Sequence, residues 1–364
     1  MKKDAKIVLL LVSALLMTGA VAVYSSSAVH AYQRYGDSMY FFKRHVFFIF
    51  TGIVAALICM KARLRALSGN SRWILAAFLV LLFLVLIPGI GVASGGARRW
   101  IRVLGLGFQP SEGAKIALII YIADFTSRKR HVLGNFAGGF LPPVAVTLLM
   151  ASLVLAQPDM GTAVSIVFIG FLMLFCSGVK LRHIAAISAP VIPALILAVL
   201  MKPYRMRRVV TFLDPWSDRT GAGFQLVQSF IALGSGGIAG VGLGQSKQKL
   251  FYLPEAHTDF IFSIIGEETG FIGATLVLMT LTALIFYIFR IAMRIEERFS
   301  SSVVMGVGIM ISFEVLVNVG VSTGLLPTKG LPLPFLSYGG SSMLFNLAAI
   351  GLILNMSRLS EKGA

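Results

Sequence analysis

Apolar segments long enough to cross a bilayer recur along the whole chain, and no other feature restricts its fold so strongly. About 18 or more apolar residues in a helix span a hydrocarbon core of about 30 Å. Backbone groups in lipid must satisfy one another, so such segments are helices. The spacing predicts ten spans, over residues 7–28, 45–60, 73–89, 111–126, 138–156, 161–178, 183–201, 258–289, 302–325 and 340–357. The expected fold is an all-α polytopic membrane protein, a single transmembrane domain over residues 1–364. Hydrophobic residues make up 57% of the chain and charged residues 13%, too few polar groups to coat a soluble domain of this size. The first segment follows Met1-Lys2-Lys3 without a convincing small-residue cleavage site, so it is expected to be retained. Cys59 and Cys176 both fall in apolar segments and read as small core residues rather than a disulfide or a metal pair.

An even number of spans places both termini on one side, with Lys61, Arg63, Arg65, Arg72, Arg128, Lys129, Arg130, Lys180, Arg182, Arg290, Arg294 and Arg298. The positive-inside rule makes that side cytoplasmic, by a small margin. The margin is small because basic residues also accumulate outside. Arg98, Arg99 and Arg102 share one outer loop, and Lys202, Arg205, Arg207, Arg208, Arg219, Lys247 and Lys249 share another. With a net charge of +17 carried in loops between spans, nucleic acid is a poor partner. Either anionic lipid or a phosphorylated substrate would suit these bases, since guanidinium and ammonium groups pair naturally with phosphate. The 202–257 loop is the longest connection and is glycine-rich, with helix-forming residues over 224–233. Short helices or a re-entrant segment are expected there, because long structureless loops are uncommon.

Asp259 lies in Pro254-Glu255-Ala256-His257-Thr258-Asp259-Phe260, where His257 or Thr258 is predicted to start a helix. A first-turn carboxylate is favoured by the helix dipole, whereas burial among Phe260, Ile261 and Phe262 opposes its charged form. A capping acid and a catalytic base both fit that position. Glu267 and Glu268 would lie deeper in the same span, costly unless paired or wet. Glu314, Asn318 and Lys115 are possible partners, in a structural network or a proton path. Gln109-Pro110-Ser111-Glu112 reads as a helix start, and Gln157-Pro158-Asp159-Met160-Gly161-Thr162 as a tight turn. Residues 326–335 form a proline-stiffened loop leading into Ser337-Tyr338-Gly339-Gly340-Ser341-Ser342. No zinc spacing, Walker A loop, nucleotide fingerprint or nucleophile elbow is present.

Taken together these segments resemble the SEDS family (shape, elongation, division and sporulation), in its FtsW and SpoVE-like branch. The resemblance is carried by Tyr24-Ser25-Ser26-Ser27, Gly96-Ala97-Arg98-Arg99-Trp100-Ile101, the QPSE sequence with Lys115, and QPDMGT at 157–162. Phe212-Leu213-Asp214-Pro215-Trp216, Gln225, Gln228 and Ser229 add to it, and the runs 234–268 and 326–342 are its most specific parts. Gly113 departs from the bulkier apolar residue usual there.

The resemblance implies a peptidoglycan glycosyltransferase that polymerises lipid II at the outer face of the bacterial cytoplasmic membrane, releasing undecaprenyl pyrophosphate. It implies that Asp259 is the general base. Arg98, Arg99, Lys115, Arg205, Arg208, Lys247, Lys249, Gln225, Gln228 and Ser229 become candidates for holding substrate. Glu112, Glu255, His257, Glu267, Glu268 and Lys329 become candidates for support. A divalent cation such as Mg or Mn could help the pyrophosphate leave, and no organic cofactor is expected. The implied partners are a class B penicillin-binding transpeptidase and other division or sporulation cell-wall proteins. A lipid II flippase is the competing reading, and a non-catalytic scaffold a third.

Overall fold

The computed structural model describes residues 3–359 apart from 95–96, 104, 202, 219–220, 222, 251 and 329. The chain opens with α1 (Lys3–Tyr35), α2 (Tyr40–Lys61), the short α3 (Leu64–Gly69) and α4 (Ser71–Leu86). A meander of β1 (Gly91–Ser94), β2 (Ala97–Val103) and β3 (Leu106–Phe108) then leads into α5 (Pro110–Arg128). A π-helical turn at Phe136–Phe140 runs into α6 (Leu141–Ala156), followed by α7 (Met160–Cys176) and α8 (Leu181–Leu200). The long connection holds two helices, α9 (Pro203–Leu213) and α10 (Phe224–Ser235), before α11 (Ile261–Arg294), α12 (Arg298–Ser322) and α13 (Gly340–Leu359).

The helices obey the sequence logic that predicted them. Proline opens α5, where its missing N–H costs nothing, and the Asp159 carboxylate caps α7 by accepting from the Thr162 amide at 3.2 Å. Glu297 caps α12 in the same way, accepting from the Phe299 and Ser300 amides. Among the described residues, six segments meet the length and hydropathy of a membrane crossing: α1, α2, Phe136–Ala156, α11, α12 and α13. The ten-span expectation rests further on the shorter α4 and α7, the more polar α5, and α8, an apolar helix of 20 residues. Leu10, Met17, Phe50, Phe83, Phe271 and Met279 are exposed on these helices. Such surface would drive aggregation in water and suits contact with lipid chains. At the centre, α5 buries almost every residue and α12 buries the larger part of its length.

Two opposed faces are defined by contacts between helix ends. Arg294 of α11 donates to Asp4 of α1 at 2.6 Å, and Ser25 near the far end of α1 donates to Glu268 near the start of α11 at 2.6 Å. These helices are therefore antiparallel. Asp4, Arg294 and Ser357 line one small cavity, so both ends of the described chain share a face. Asp259 lies at the opposite one.

Three local features differ from expectation. The 91–108 stretch is a small antiparallel sheet rather than an irregular loop. Helix α11 starts at Ile261, so Asp259 precedes the helix instead of sitting in its first turn. The helix also breaks at Gly270, whose φ of 67° and ψ of −166° are not helical. The break is filled from outside. Amides of Val241 and Gly242 donate to the Glu267 and Glu268 carbonyls, and those of Phe271 and Ile272 donate to Gly237 and Ile238. The backbones approach so closely that a Cβ on Gly270 would lie 2.3 Å from the Gly240 nitrogen. Only glycine fits both the contact and the positive φ.

Candidate functional site

Asp259 sits on a turn whose backbone is fastened from three directions. Its amide donates to the Glu255 carbonyl at 3.1 Å, and Glu255 itself takes a left-handed φ of 55°. Its carbonyl accepts from Asn318 Nδ2 of α12 at 2.9 Å. The same amide group donates to the Leu331 carbonyl at 2.8 Å, so Asn318 staples the Asp259 turn to the proline-rich loop. Two residues earlier, the His257 carbonyl accepts from the Tyr338 amide at 2.9 Å. Phe335 in that loop is also left-handed, with φ of 65°. Unfavourable φ values persist only where surrounding contacts hold them, which these hydrogen bonds do.

While its backbone is fixed, the Asp259 side chain remains partly exposed. Residue 330 faces it at close range: a Cβ there would lie 2.6 Å from Asp259 Oδ2. Glycine at 330 keeps that space open. His257 packs against Phe41, Tyr338 and His30, with ring centroids 4.6, 5.6 and 6.2 Å away. Burial pushes its imidazole down to about 4, with Glu255 pulling the other way and His30 adding to the fall. Near neutral pH it is an uncharged wall of the site.

Beneath this turn lies a closed polar cluster. Lys115 Nζ is 3.0 Å from Glu112 and 2.5 Å from Glu314, all three buried. Glu314 also accepts from Asn346 at 3.3 Å, and one helical turn along α12 is Asn318. Lys115 was a candidate for phosphate and Glu112 for direct support of Asp259. Their placement instead makes them an internal ion-pair cluster, because a buried ammonium needs carboxylates around it.

Arg99 reaches the edge of the same region through a β-bulge. Val92 pairs with Trp100 and Ala93 with Arg98, which leaves Arg99 unpaired between them. Bulges re-aim side chains, and here Arg99 Nη1 approaches Asp159 at 3.5 Å while its buried Nε has no partner among the described residues. Asp159 also accepts from Gln109 at 3.3 Å and from Thr162 Oγ1 at 3.0 Å. Arg98 points outward and is exposed.

Glu267 and Glu268 do not meet Glu314, Asn318 or Lys115. Glu267 accepts from the Ser246 hydroxyl and from the Lys247 amide at 3.0 Å. Glu268 accepts from Ser25 and pairs with Lys249 at 3.1 Å. Both carboxylates thus bind the glycine-rich loop to the broken helix, and the Lys249 ammonium is used there. Lys247 keeps an exposed side chain. Ser229 is buried, 2.6 Å from the Ser263 hydroxyl and 2.7 Å from the Ser322 carbonyl, so it joins α10 to its neighbours. Gln225 and Gln228 are half-buried on that helix. The side chains of Arg205 and Arg208, and Lys329 altogether, lie outside the described residues. Among the described residues, no three His, Cys, Asp or Glu side chains gather to hold a metal. The described donor set does not form a protein-built metal cage.

A family model described as a cell cycle protein, FtsW/RodA/SpoVE, matches residues 5–362. The chain belongs to the FtsW/RodA/SpoVE family. A probable peptidoglycan glycosyltransferase FtsW of Geobacter sp. (strain M18) is 43% identical over 354 residues, covering 96% of each chain. Stage V sporulation protein E of Bacillus subtilis is 41% identical over 361 residues, covering 99% of each. A solved peptidoglycan synthase complex, described as coordinating polymerization and crosslinking, contains a chain with TM-score 0.81 and 31% identity, covering 97% of both. RodA of Thermus thermophilus matches with TM-score 0.70 and 28% identity, over 96% of this chain and 95% of that one.

Within this FtsW/RodA/SpoVE member, four residues of the site have no role assigned from sequence. Ser25 and Ser246 hold the two glutamates, Gly330 makes room for Asp259, and Asp159 gathers Arg99 and Gln109. Each stands in a stretch that reads as a motif, yet only the fold shows what its side chain meets.

Proposed function

We propose that this chain is a peptidoglycan glycosyltransferase that polymerises lipid II, with Asp259 as general base. The observation that carries the proposal is a partly exposed carboxylate on a turn fastened by Asn318 and Tyr338, with Gly330 leaving space beside it. The reaction requires a base within hydrogen-bond reach of the sugar 4-hydroxyl, and Asp259 supplies the carboxylate. As the hydroxyl oxygen attacks the anomeric carbon of a second lipid-linked sugar, its proton passes to Asp259 and undecaprenyl pyrophosphate leaves. Attack from the opposite face turns an α-linked donor into a β-1,4 linkage, with no second carboxylate acting as nucleophile.

Negative charge grows on the departing pyrophosphate, and nearby cations stabilise it. Arg99 has a spare buried N–H for that task, and Arg98 and Lys247 present exposed charge. A divalent cation such as Mg or Mn would come with the pyrophosphate rather than reside in a protein cage.

The loop-charge bias supports termini in the cytoplasm and Asp259 at the outer surface. A class B penicillin-binding transpeptidase is the proposed partner, and the match to a synthase complex that couples polymerization to crosslinking supports it. Division or sporulation is the proposed setting, in line with the FtsW and sporulation relatives. The flippase reading is not favoured: Glu314 and Lys115 pair with each other in one closed cluster, while Glu267 and Glu268 are held separately by the glycine-rich loop and α1.

The test is reconstitution in vesicles with labelled lipid II and the cognate transpeptidase, scored separately for glycan chains and lipid sidedness. Polymer formation is the expected result. A change of sidedness with no polymer would overturn the assignment.

A further inference from the structure

A cavity of about 220 Å³ opens at the face that carries the termini, among the ends of α5, α7, α11 and α12. Arg130 and Arg298 line it, both exposed, and neither forms an ion pair among the described residues. The α12 end itself contributes little, because the Glu297 carboxylate already accepts from the Phe299 and Ser300 amides at 3.0 and 2.7 Å. Attraction for an anion therefore comes from the two guanidinium groups, which favour phosphate.

Four of the five hydroxyls around the cavity, all but that of Ser302, are spent in one direction. Thr126, Ser127, Ser177 and Ser301 each donate to a backbone carbonyl, at 2.8, 2.9, 2.8 and 2.8 Å. What they can still offer is oxygen lone pairs, and the Glu296 carboxylate in the lining adds another acceptor. The site thus pairs two strong donors with several acceptors. A bare phosphate satisfies the arginines and the Ser302 hydroxyl but leaves the acceptors unmet. A phosphate ester bearing hydroxyl or amine donors satisfies both sets.

From this we infer that the cavity binds the head group of a glycerophospholipid, its phosphate on Arg130 and Arg298 and its hydroxyl or amine donors on the serine oxygens and Glu296. Phe175 and Leu181, exposed at the adjoining helix ends, supply apolar surface for acyl chains. The site lies on the face opposite Asp259 and does not depend on the reaction run there.

The test uses full-length protein in nanodiscs, with binding of short-chain phosphatidylglycerol, phosphatidylethanolamine and phosphatidylcholine measured by native mass spectrometry. Phosphatidylglycerol and phosphatidylethanolamine are expected to bind more tightly than phosphatidylcholine, whose head group has no hydrogen-bond donor. Arg130→Gln/Arg298→Gln, at exposed positions that spare the core, is expected to weaken both about tenfold or more. Lys61→Gln/Lys129→Gln removes as much charge from the same face outside the cavity and is expected to change nothing. Binding of glycerol 3-phosphate in place of the lipids, lost in the same arginine variant, keeps the phosphate-ester site and assigns it to a soluble ligand. Equal binding by wild type and the arginine variant, equal loss in the lysine variant, or full binding of phosphatidylcholine would overturn the inference.

Discussion

The Lys115 cluster and the Asp259 turn hold the same kinds of group and use them in opposite ways. Around Lys115 the charges are buried, mutually paired and sealed between α5, α12 and α13. At Asp259 it is the backbone that is held, by Asn318 and by the Tyr338 staple at His257, while the carboxylate keeps a partly exposed position opposite a glycine. Desolvated charge is costly enough that a cluster of the first kind persists only when it is closed. A carboxylate meant to meet a substrate must be aimed and must stay within reach of solvent. The difference separates architecture from chemistry in a chain where both use acids and lysines.

The contrast can be broken most forcefully at its buried end. Lys115→Met leaves Glu112 and Glu314 facing each other without a cation, and a loss of about 3–5 kcal/mol in stability is expected. A thermal melt in detergent reads it, and a wild-type Tm would dissolve the distinction. Next is Asn318→Leu, which orphans the carbonyls of Asp259 and Leu331. It should cost about 1–3 kcal/mol and lower kcat more than it raises KM. A change confined to KM would mean that Asn318 does not aim the turn.

A third effect depends on pH. His257 has an ordinary value of 6.5 and is held down to about 4 in the fold, chiefly by burial. Between those values the unfolded chain binds more protons than the folded one, so stability rises with pH. The contribution is complete above about 6.5 and fades as pH falls toward 4. Melting temperatures across that window should slope for wild type and flatten for His257→Phe. Parallel curves would remove His257 from the packing of the turn. The smallest effect is expected at the exposed Lys247, where replacement by Ala should raise KM about fivefold, on the order of 1 kcal/mol. A large loss of stability there would instead place it with the buried set.

Much of this was legible in the residues, for identifiable reasons. Membrane helices announce themselves because a long apolar run in lipid must close its backbone hydrogen bonds within itself. The position of Asp259 fits a capping acid as well as a base, and only the motif resemblance singles it out as the base. The sheet over 91–108 did not show, since short strands rich in Gly and Arg lack the alternation that marks a strand. Nor did the break at Gly270. A single glycine inside an apolar helix is ordinary, and what opens this one is the 237–242 segment that replaces its hydrogen bonds. Pairings such as Ser25 with Glu268 join residues far apart in the chain, and no local spacing encodes them.

The most direct test of the role proposed for Asp259 is Asp259→Asn, assayed with labelled lipid II and the proposed transpeptidase partner beside a melting curve. Glycan synthesis should fall by about 10²-fold or more, with Tm unchanged, because the substitution removes the base and leaves the backbone staples in place. Near-normal glycan synthesis by that variant would contradict it.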